Sequence, residues 1–250
     1  TVAAWGYNGN GQCNVPSGLN DAMAVAAGQL HGLALRQNHT VVAWGLNSQH
    51  QTDVPDRLTD VLAIAAGGEC SLALLSDRTV VAWGDARFGQ KNVTAGLYDL
   101  IAIGAGRRYC VALRDDGRVA AWGSGAATDV PPTLRSVKAI AAGADHCLAL
   151  LQNGAVIAWG DNAYGQTNVP PGLANVTGIA AGDGSSVALK ADGTFAAWGD
   201  NRYGQCVAPG TVSGVIAVVA SPTFSLALES TGRVLAWGTY GDTVVSQSPA

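Results

Sequence analysis

The 250-residue chain has a formal charge of −4, is 48% hydrophobic and is only 13% charged. That balance leaves no polybasic footprint for a nucleic-acid backbone or an anionic membrane, and no stretch approaches the roughly 18 consecutive apolar residues of a membrane-spanning helix. A charged share about half the usual one implies a backbone held mostly in buried strands, with polar chemistry confined to turns.

All seven tryptophans, Trp5, Trp44, Trp83, Trp122, Trp159, Trp198 and Trp237, lie in Ala-Trp-Gly, at steps of 39, 39, 39, 37, 39 and 39 residues. Self-similarity at a period near 40 marks a repeat architecture, and one array accounts for residues 1–250 as a single domain. The chain enters on Thr1-Val2-Ala3-Ala4-Trp5-Gly6, already part of the repeat, so a signal peptide is expected to be absent or removed. The first full unit follows with strand A at Ala22 to Ala27, strand B at Gly32 to Leu35, strand C at Thr40 to Trp44 and strand D at Thr52 to Val54. These short runs between Gly, Asn, Asp and Pro clusters are too short for helices. Further A-B pairs begin near Val61, Ile101, Lys138, Gly178 and Val215, and a worn strand D closes the chain at Asp242 to Ser246.

Strands A to C are apolar at successive positions, so both faces of each sheet must be covered. Radial stacking of four-stranded antiparallel meanders does this, which predicts an all-β fold, a β-propeller. Seven C strands against six A-B pairs favour seven blades, one incomplete; closure as six with the surplus half rearranged is the alternative. Pro16, Pro55, Pro131 and Pro170 are expected to end and blunt the outermost strand. The tryptophans are expected to pack between sheets rather than to stack on sugars.

The stretches Ala158-Trp159-Gly160-Asp161-Asn162-Ala163-Tyr164-Gly165-Gln166-Thr167-Asn168-Val169-Pro170 and Ala24-Val25-Ala26-Ala27-Gly28-Gln29-Leu30-His31-Gly32-Leu33-Ala34-Leu35 carry a resemblance. They resemble the regulator of chromosome condensation (RCC1-like) repeat family, and in repeat length the propeller-type β-lactamase inhibitory proteins. The resemblance spans nearly the whole chain. It implies a seven-bladed propeller and, from members that are exchange factors, chromatin binders, photoreceptors and enzyme inhibitors, a binding module without catalysis.

Function must come from residues that break the repeat. In a meander the A-B and C-D turns share one face, and A-B turns are expected to rim the central opening, where polar groups converge. Glu69, Arg107, Arg108, Tyr109, Asp145, His146 and Asp183 fall there. Three roles are open to them: a solvated ion network in which Arg107 and Arg108 pair with Glu69 and Asp145, a ligand site, or a carbohydrate-active centre. In the last, Glu69 and Asp145 would be the paired carboxylates, and Tyr109 or His146 would assist proton transfer. Arg87 and Arg202, in C-D turns, are expected to be freer to contact a partner, whereas Phe88, Tyr164 and Tyr203 are expected to pack on the next blade.

The four histidines offer no pair at ligand spacing, so no metal site and no cofactor are expected. His31 and His146 read as structural hydrogen-bonding residues, and His50 replaces a turn glycine. Cys13, Cys70, Cys110, Cys147 and Cys206 have neither CxxC spacing nor an even count. Cys110 and Cys147 read as small buried hydrophobes; Cys70, nearer the rim, would need a neighbouring base to act as a nucleophile. Neither a phosphate loop nor a nucleophile elbow is present. Sequons at Asn38, Asn92 and Asn175 make a secreted location the expectation, with the cytoplasm as alternative.

The expected function is a monomeric, non-catalytic recognition module that binds a protein or glycan on the A-B/C-D face. Nucleic acid and membrane are not expected partners. The alternatives are a carbohydrate-active enzyme at the central rim and an inhibitor that plugs another enzyme.

Overall fold

The structure, a computed structural model, describes residues 1–207, 212 and 214–238 and the backbone of 243–245. Among these, everything regular is β except one turn of 3-10 helix at Ala126–Thr128. The chain divides into two compact units, Thr1–Thr128 and Asp129–Ala250.

The first unit holds three sheets of three antiparallel strands in chain order. They are β1 (Ala22–Ala27), β2 (His31–Arg36) and β3 (Val41–Gly45); β4 (Val61–Ala66), β5 (Cys70–Leu75) and β6 (Val80–Gly84); and β7 (Leu100–Ala105), β8 (Tyr109–Arg114) and β9 (Val119–Gly123). The second unit repeats the plan with β10 (Val137–Ala142), β11 (His146–Leu151) and β12 (Val156–Gly160); β13 (Val176–Ala181), β14 (Ser185–Lys190) and β15 (Phe195–Gly199); and β16 (Val215–Ala220), β17 (Phe224–Glu229), β18 (Val234–Gly238) and β19 (Thr243–Val245). Among the described residues only this last sheet has four strands, and β19 lies within the stretch expected as the closing strand D.

Elsewhere the expected strand D is corrected: Thr52 to Val54 forms no strand. Its donors are taken locally, Thr52 N–H by Asn47 Oδ1, Asp53 N–H by the His50 carbonyl and Val54 N–H by the Thr52 carbonyl. Pro55 has no N–H, so nothing remains to donate to a ladder. Pro16, Pro55, Pro131 and Pro170 therefore do not blunt a strand. Each offers its carbonyl to the N–H three residues on, at Leu19, Leu58, Leu134 and Leu173, in a turn that brings a leucine inward.

Seven sheets were expected, and the described residues form six. Residues 1–5 make no strand, and Trp5 is 71% exposed, whereas Trp83, Trp122, Trp159, Trp198 and Trp237 are buried.

Packing within each unit explains the Leu-Ala-Leu signature. Side chains alternate across a strand, and in β2 both Leu33 and Leu35 point at the next sheet, meeting Ala73, Val61 and Trp83. Leu72 and Leu74 of β5 likewise meet Ala112, Leu100 and Trp122, and Leu148 and Leu150 meet Ala188, Val176 and Trp198. Leucines thus face forward while the alanine between them faces back, leaving room for the leucines behind it. The first strand of every sheet carries a bulge near its start. The extra residue, Met23, Leu62, Ile101, Lys138, Thr177 or Ile216, turns outward into solvent, which is how a bulge re-aims one side chain without shifting the register beyond it.

Candidate functional site

The turns after Trp5, Trp44, Trp83, Trp159 and Trp198 are built by their own side chains. Asn8, Asn47, Asn162 and Asn201 accept through Oδ1 the N–H five residues on, at Cys13, Thr52, Thr167 and Cys206. Gln12, Gln51, Gln90, Gln166 and Gln205 fold back so that Oε1 accepts the N–H two residues earlier. The residue just before each Gln sits at positive φ, as in Gly89 (84°) and Gly165 (81°), and His50 takes that position at 63°. The sequence reading of His50 as a glycine replacement is confirmed. The tips of these turns are held rigidly and can present side chains at fixed positions.

In the first unit the turn Trp83-Gly84-Asp85-Ala86-Arg87-Phe88-Gly89-Gln90 carries the charge. The Asp85 side chain is 3% exposed, and its Oδ1 accepts both Arg87 N–H and Arg87 Nε at 2.9 Å. Arg87 Nη2 donates to Glu69 Oε2 at 2.6 Å. Burial alone would raise the Asp85 carboxyl, but the hydrogen bonds and charge of Arg87 outweigh it and hold it below its usual range. Arg108 lies over the Phe88 ring with Cζ 4.6 Å from its centroid, within cation–π range.

The second unit repeats the device in Trp198-Gly199-Asp200-Asn201-Arg202-Tyr203-Gly204-Gln205. Asp200 is buried and binds Arg202 through N–H and Nε to Oδ1 and Nη2 to Oδ2, at 3.0, 3.0 and 2.8 Å. The Arg202 hydrogen bond holds the Asp200 carboxyl low. Arg202 Cζ stands 4.4 Å from the Tyr164 centroid and 6.0 Å from that of Tyr203. Tyr164 and Tyr203 remain 47% and 45% exposed. The second unit therefore displays a guanidinium, clamped from below by a buried aspartate, between two aromatic faces; in the first the clamped Arg87 stands 5.8 Å from the Phe88 centroid and Arg108 takes the nearer place over that ring.

This arrangement revises several expectations. Arg87 and Arg202 are not loose: about three-fifths of each side chain meets solvent, but the inner edge is fixed. Tyr164 packs on the next sheet as expected, against Arg202 and beside Gly184, while keeping 47% of its surface exposed, and Tyr203 is 45% exposed. Glu69 pairs with Arg87, not with Arg107 or Arg108. Arg107, Arg108 and Asp183 are exposed and Asp145 is half-buried. Tyr109 and His146 leave the rim altogether; each begins the second strand of its sheet and is fully buried. His146 shares the forward-facing parity of the leucines and points at the next sheet, where it meets Ser186. Neither fits the proton-transfer role of a rim catalyst. Cys70 occupies the same buried position and touches another thiol rather than a base.

What that position does is clearest at His31. His31 Nε2 donates to Ser71 Oγ in the next sheet at 2.9 Å, and Ser71 Oγ donates to the Gln51 carbonyl at 2.8 Å. The same carbonyl accepts Trp83 Nε1 at 3.0 Å. In the second unit His146, Ser186, Gln166 and Trp198 form the same clasp at 2.9, 2.8 and 2.9 Å. The imidazole fits because the residue three before it is glycine: a Cβ on Gly28 or Gly143 would lie 2.2 or 2.4 Å from the ring. Burial pushes both histidines down to about 4, so they are neutral. Sequence reasoning recognised a structural role for His31 and His146 but missed the partners. The signal was an i, i+40 pairing of His with Ser.

Four segments, residues 24–51, 61–90, 137–166 and 176–205, match the family model described as regulator of chromosome condensation (RCC1) repeat. No curated protein sequence matches the chain. Among solved structures, Prp20p from Saccharomyces cerevisiae, studied for its binding properties to Gsp1p and histones, is 22% identical. It superposes with a TM-score of 0.78, covering 90% of this chain and 77% of that one. Human WBSCR16 is 20% identical with a TM-score of 0.73, covering 90% and 82%. The CRINKLY WD40 ectodomain of the Arabidopsis thaliana receptor kinase ACR4 is 19% identical with a TM-score of 0.74, covering 89% and 87%. Four segments of the chain thus match RCC1 repeats, and the chain is similar in fold to solved β-propellers that carry them.

Proposed function

We propose that the chain is a non-catalytic protein-recognition module that makes contact through its A-B and C-D turns, with the Arg87 cluster as the anchor in the first unit and the Arg202 cluster as the anchor in the second. One observation carries the reading. The second unit places Arg202, immobilised by the buried Asp200, beside the exposed Tyr164 and Tyr203, and the first holds Arg87 on the buried Asp85 next to Phe88, whose ring lies under Arg108. Arginine and tyrosine are enriched at interface hot spots, where a held side chain loses little freedom on binding. A guanidinium with its outer edge free suits a partner loop that offers carboxylate or carbonyl oxygens, while the ring takes apolar contact. The solved structure described for binding Gsp1p and histones shares the fold and lends support to a protein as the partner. The carbohydrate-active alternative loses ground, since its acid Glu69 is in an ion pair and Tyr109 and His146 are buried.

The test compares affinity capture by the wild-type chain with that by Arg87→Ala, by Arg202→Ala/Tyr203→Ala, and by Arg118→Ala on the opposite turns. The expected result is a partner retained by wild type and Arg118→Ala and lost, by about tenfold or more in affinity, from the anchor variants. Equal retention by all four proteins would overturn the assigned turns. Selective binding on a glycan array, abolished by the same substitutions, would replace protein with glycan as the ligand class.

A further inference from the structure

Two junctions between neighbouring sheets are closed by a His–Ser pair, His31 with Ser71 and His146 with Ser186. Between the second and third sheets the same two positions hold cysteines. Cys70 stands where His31 and His146 stand, and Cys110 where Ser71 and Ser186 stand, 40 residues on in each case. Their sulfurs lie 3.7 Å apart, and neither residue has any exposed surface. Cys110 Sγ also reaches the Gln90 carbonyl at 3.7 Å, the acceptor that binds Trp122 Nε1 at 2.7 Å. Leu72, Leu74, Leu100 and Ala112 surround the pair.

We propose that Cys70 and Cys110 form a disulfide that staples the second sheet to the third at the position other junctions close with a His–Ser hydrogen bond. A thiol is a weak donor and a weak acceptor, so the reduced pair closes its junction poorly. Oxidation brings the sulfurs from 3.7 Å to about 2.05 Å, a distance side-chain rotation can supply across two strands already packed together.

The oxidant is a small-molecule disulfide. A Cys70 thiolate attacks one of its sulfurs and expels a thiolate. Cys110 then gives up its proton and attacks Cys70 Sγ, forming the Cys70–Cys110 bond and expelling the second. Two electrons pass from the protein sulfurs to the oxidant, which leaves as two thiols carrying the two protons. The mirror order, with Cys110 attacking the oxidant first and Cys70 closing the bond, has the same balance and gives the same product. With both sulfurs sealed, the exchange belongs to the stage before the two sheets dock. The closed staple is then shielded from reductant. Cys13 and Cys206 are more accessible but bond to the Tyr7 and Asp200 carbonyls at 3.4 and 3.2 Å.

The experiment refolds the full chain in a glutathione redox buffer, unfolds it in denaturant with N-ethylmaleimide, and maps the peptides without reduction. The expected result is three labelled cysteines, Cys13, Cys147 and Cys206, and one cross-linked peptide pair containing Cys70 and Cys110. The oxidised protein keeps its near-ultraviolet circular dichroism and melts about 10 °C above the reduced one. The double variant Cys70→His/Cys110→Ser, which restores the pair found at the other junctions, folds and melts at the same temperature with and without reductant. Five labelled cysteines in the wild type, a cross-link between any other pair, or loss of the native spectrum on oxidation would each overturn the proposal.

Discussion

At the scale of single residues, the turn before each Gln shows how backbone geometry and side-chain chemistry trade. His50 takes a positive φ of 63° where Gly11, Gly89, Gly165 and Gly204 take 77° to 84°. A non-glycine residue there costs about 1–2 kcal/mol, partly offset by the exposed His50–Asp53 pair at 2.7 Å, a kind of contact that contributes little. His50→Gly is therefore expected to leave stability unchanged or raise it by up to about 1 kcal/mol, read from the urea midpoint. Single residues were also where the sequence was least readable. Trp-Gly-Asp-x-Arg occurs twice, at Trp83 and Trp198, yet nothing in its composition says that the aspartate sinks and clamps the arginine. That follows from the turn, which points the aspartate side chain inward while the arginine backbone N–H comes within 3.0 Å of it.

At the scale of strands and sheets, the alternation that the sequence displayed openly in Leu-Ala-Leu also governed the position two residues before the first leucine. His31, Cys70, His146 and Ser185 share the leucines' parity and so face the next sheet; the placement of Cys70 and His146 at the rim ignored that period of two. Strand D was misread for a different reason. Thr52-Asp53-Val54 has strand-like length and bulk, but its N–H groups are consumed by Asn47 Oδ1 and the turn carbonyls, a competition that no propensity encodes. The junction between the fifth and sixth sheets offers a test of the clasp. Ser225 Oγ donates to the Gln205 carbonyl at 2.9 Å, but Ser185, in the histidine position, leaves its buried hydroxyl without a partner. Gly182 already provides the clearance an imidazole needs, with Ser185 Oγ the nearest side-chain atom. Ser185→His is expected to complete a third His–Ser–carbonyl relay and to raise stability by about 1 kcal/mol. Thermal melts check the gain, and Ser185→His/Ser225→Ala, which removes the acceptor, is expected to abolish it.

At the scale of the whole molecule, the two neutral histidines set an acid limit. Each has an ordinary value of 6.5 and is held at about 4 when folded, by burial. Between those values the unfolded chain binds a proton on each ring that the folded chain does not, so stability rises with pH across the window. It is fully present above about pH 6.5, falls as pH drops toward 4, and levels off below that as far as these two groups are concerned. The ceiling is on the order of 3 kcal/mol per ring. Asp85 and Asp200, held below their usual 3.8, add a separate loss below that pH. Urea titrations at intervals from pH 7 to pH 4 are expected to show this slope in the wild type and a flatter one in His31→Asn/His146→Asn, whatever the variant's absolute stability. The clasps have one further consequence. Their shared acceptor, the carbonyl of Gln51 or Gln166, is a main-chain atom, so no exchange of side chain at that residue can delete it. The tips two and three residues earlier can diversify without disturbing the joint beneath them. The architecture thereby separates what must stay constant from what is free to acquire new specificity, as a frame accepts interchangeable inserts.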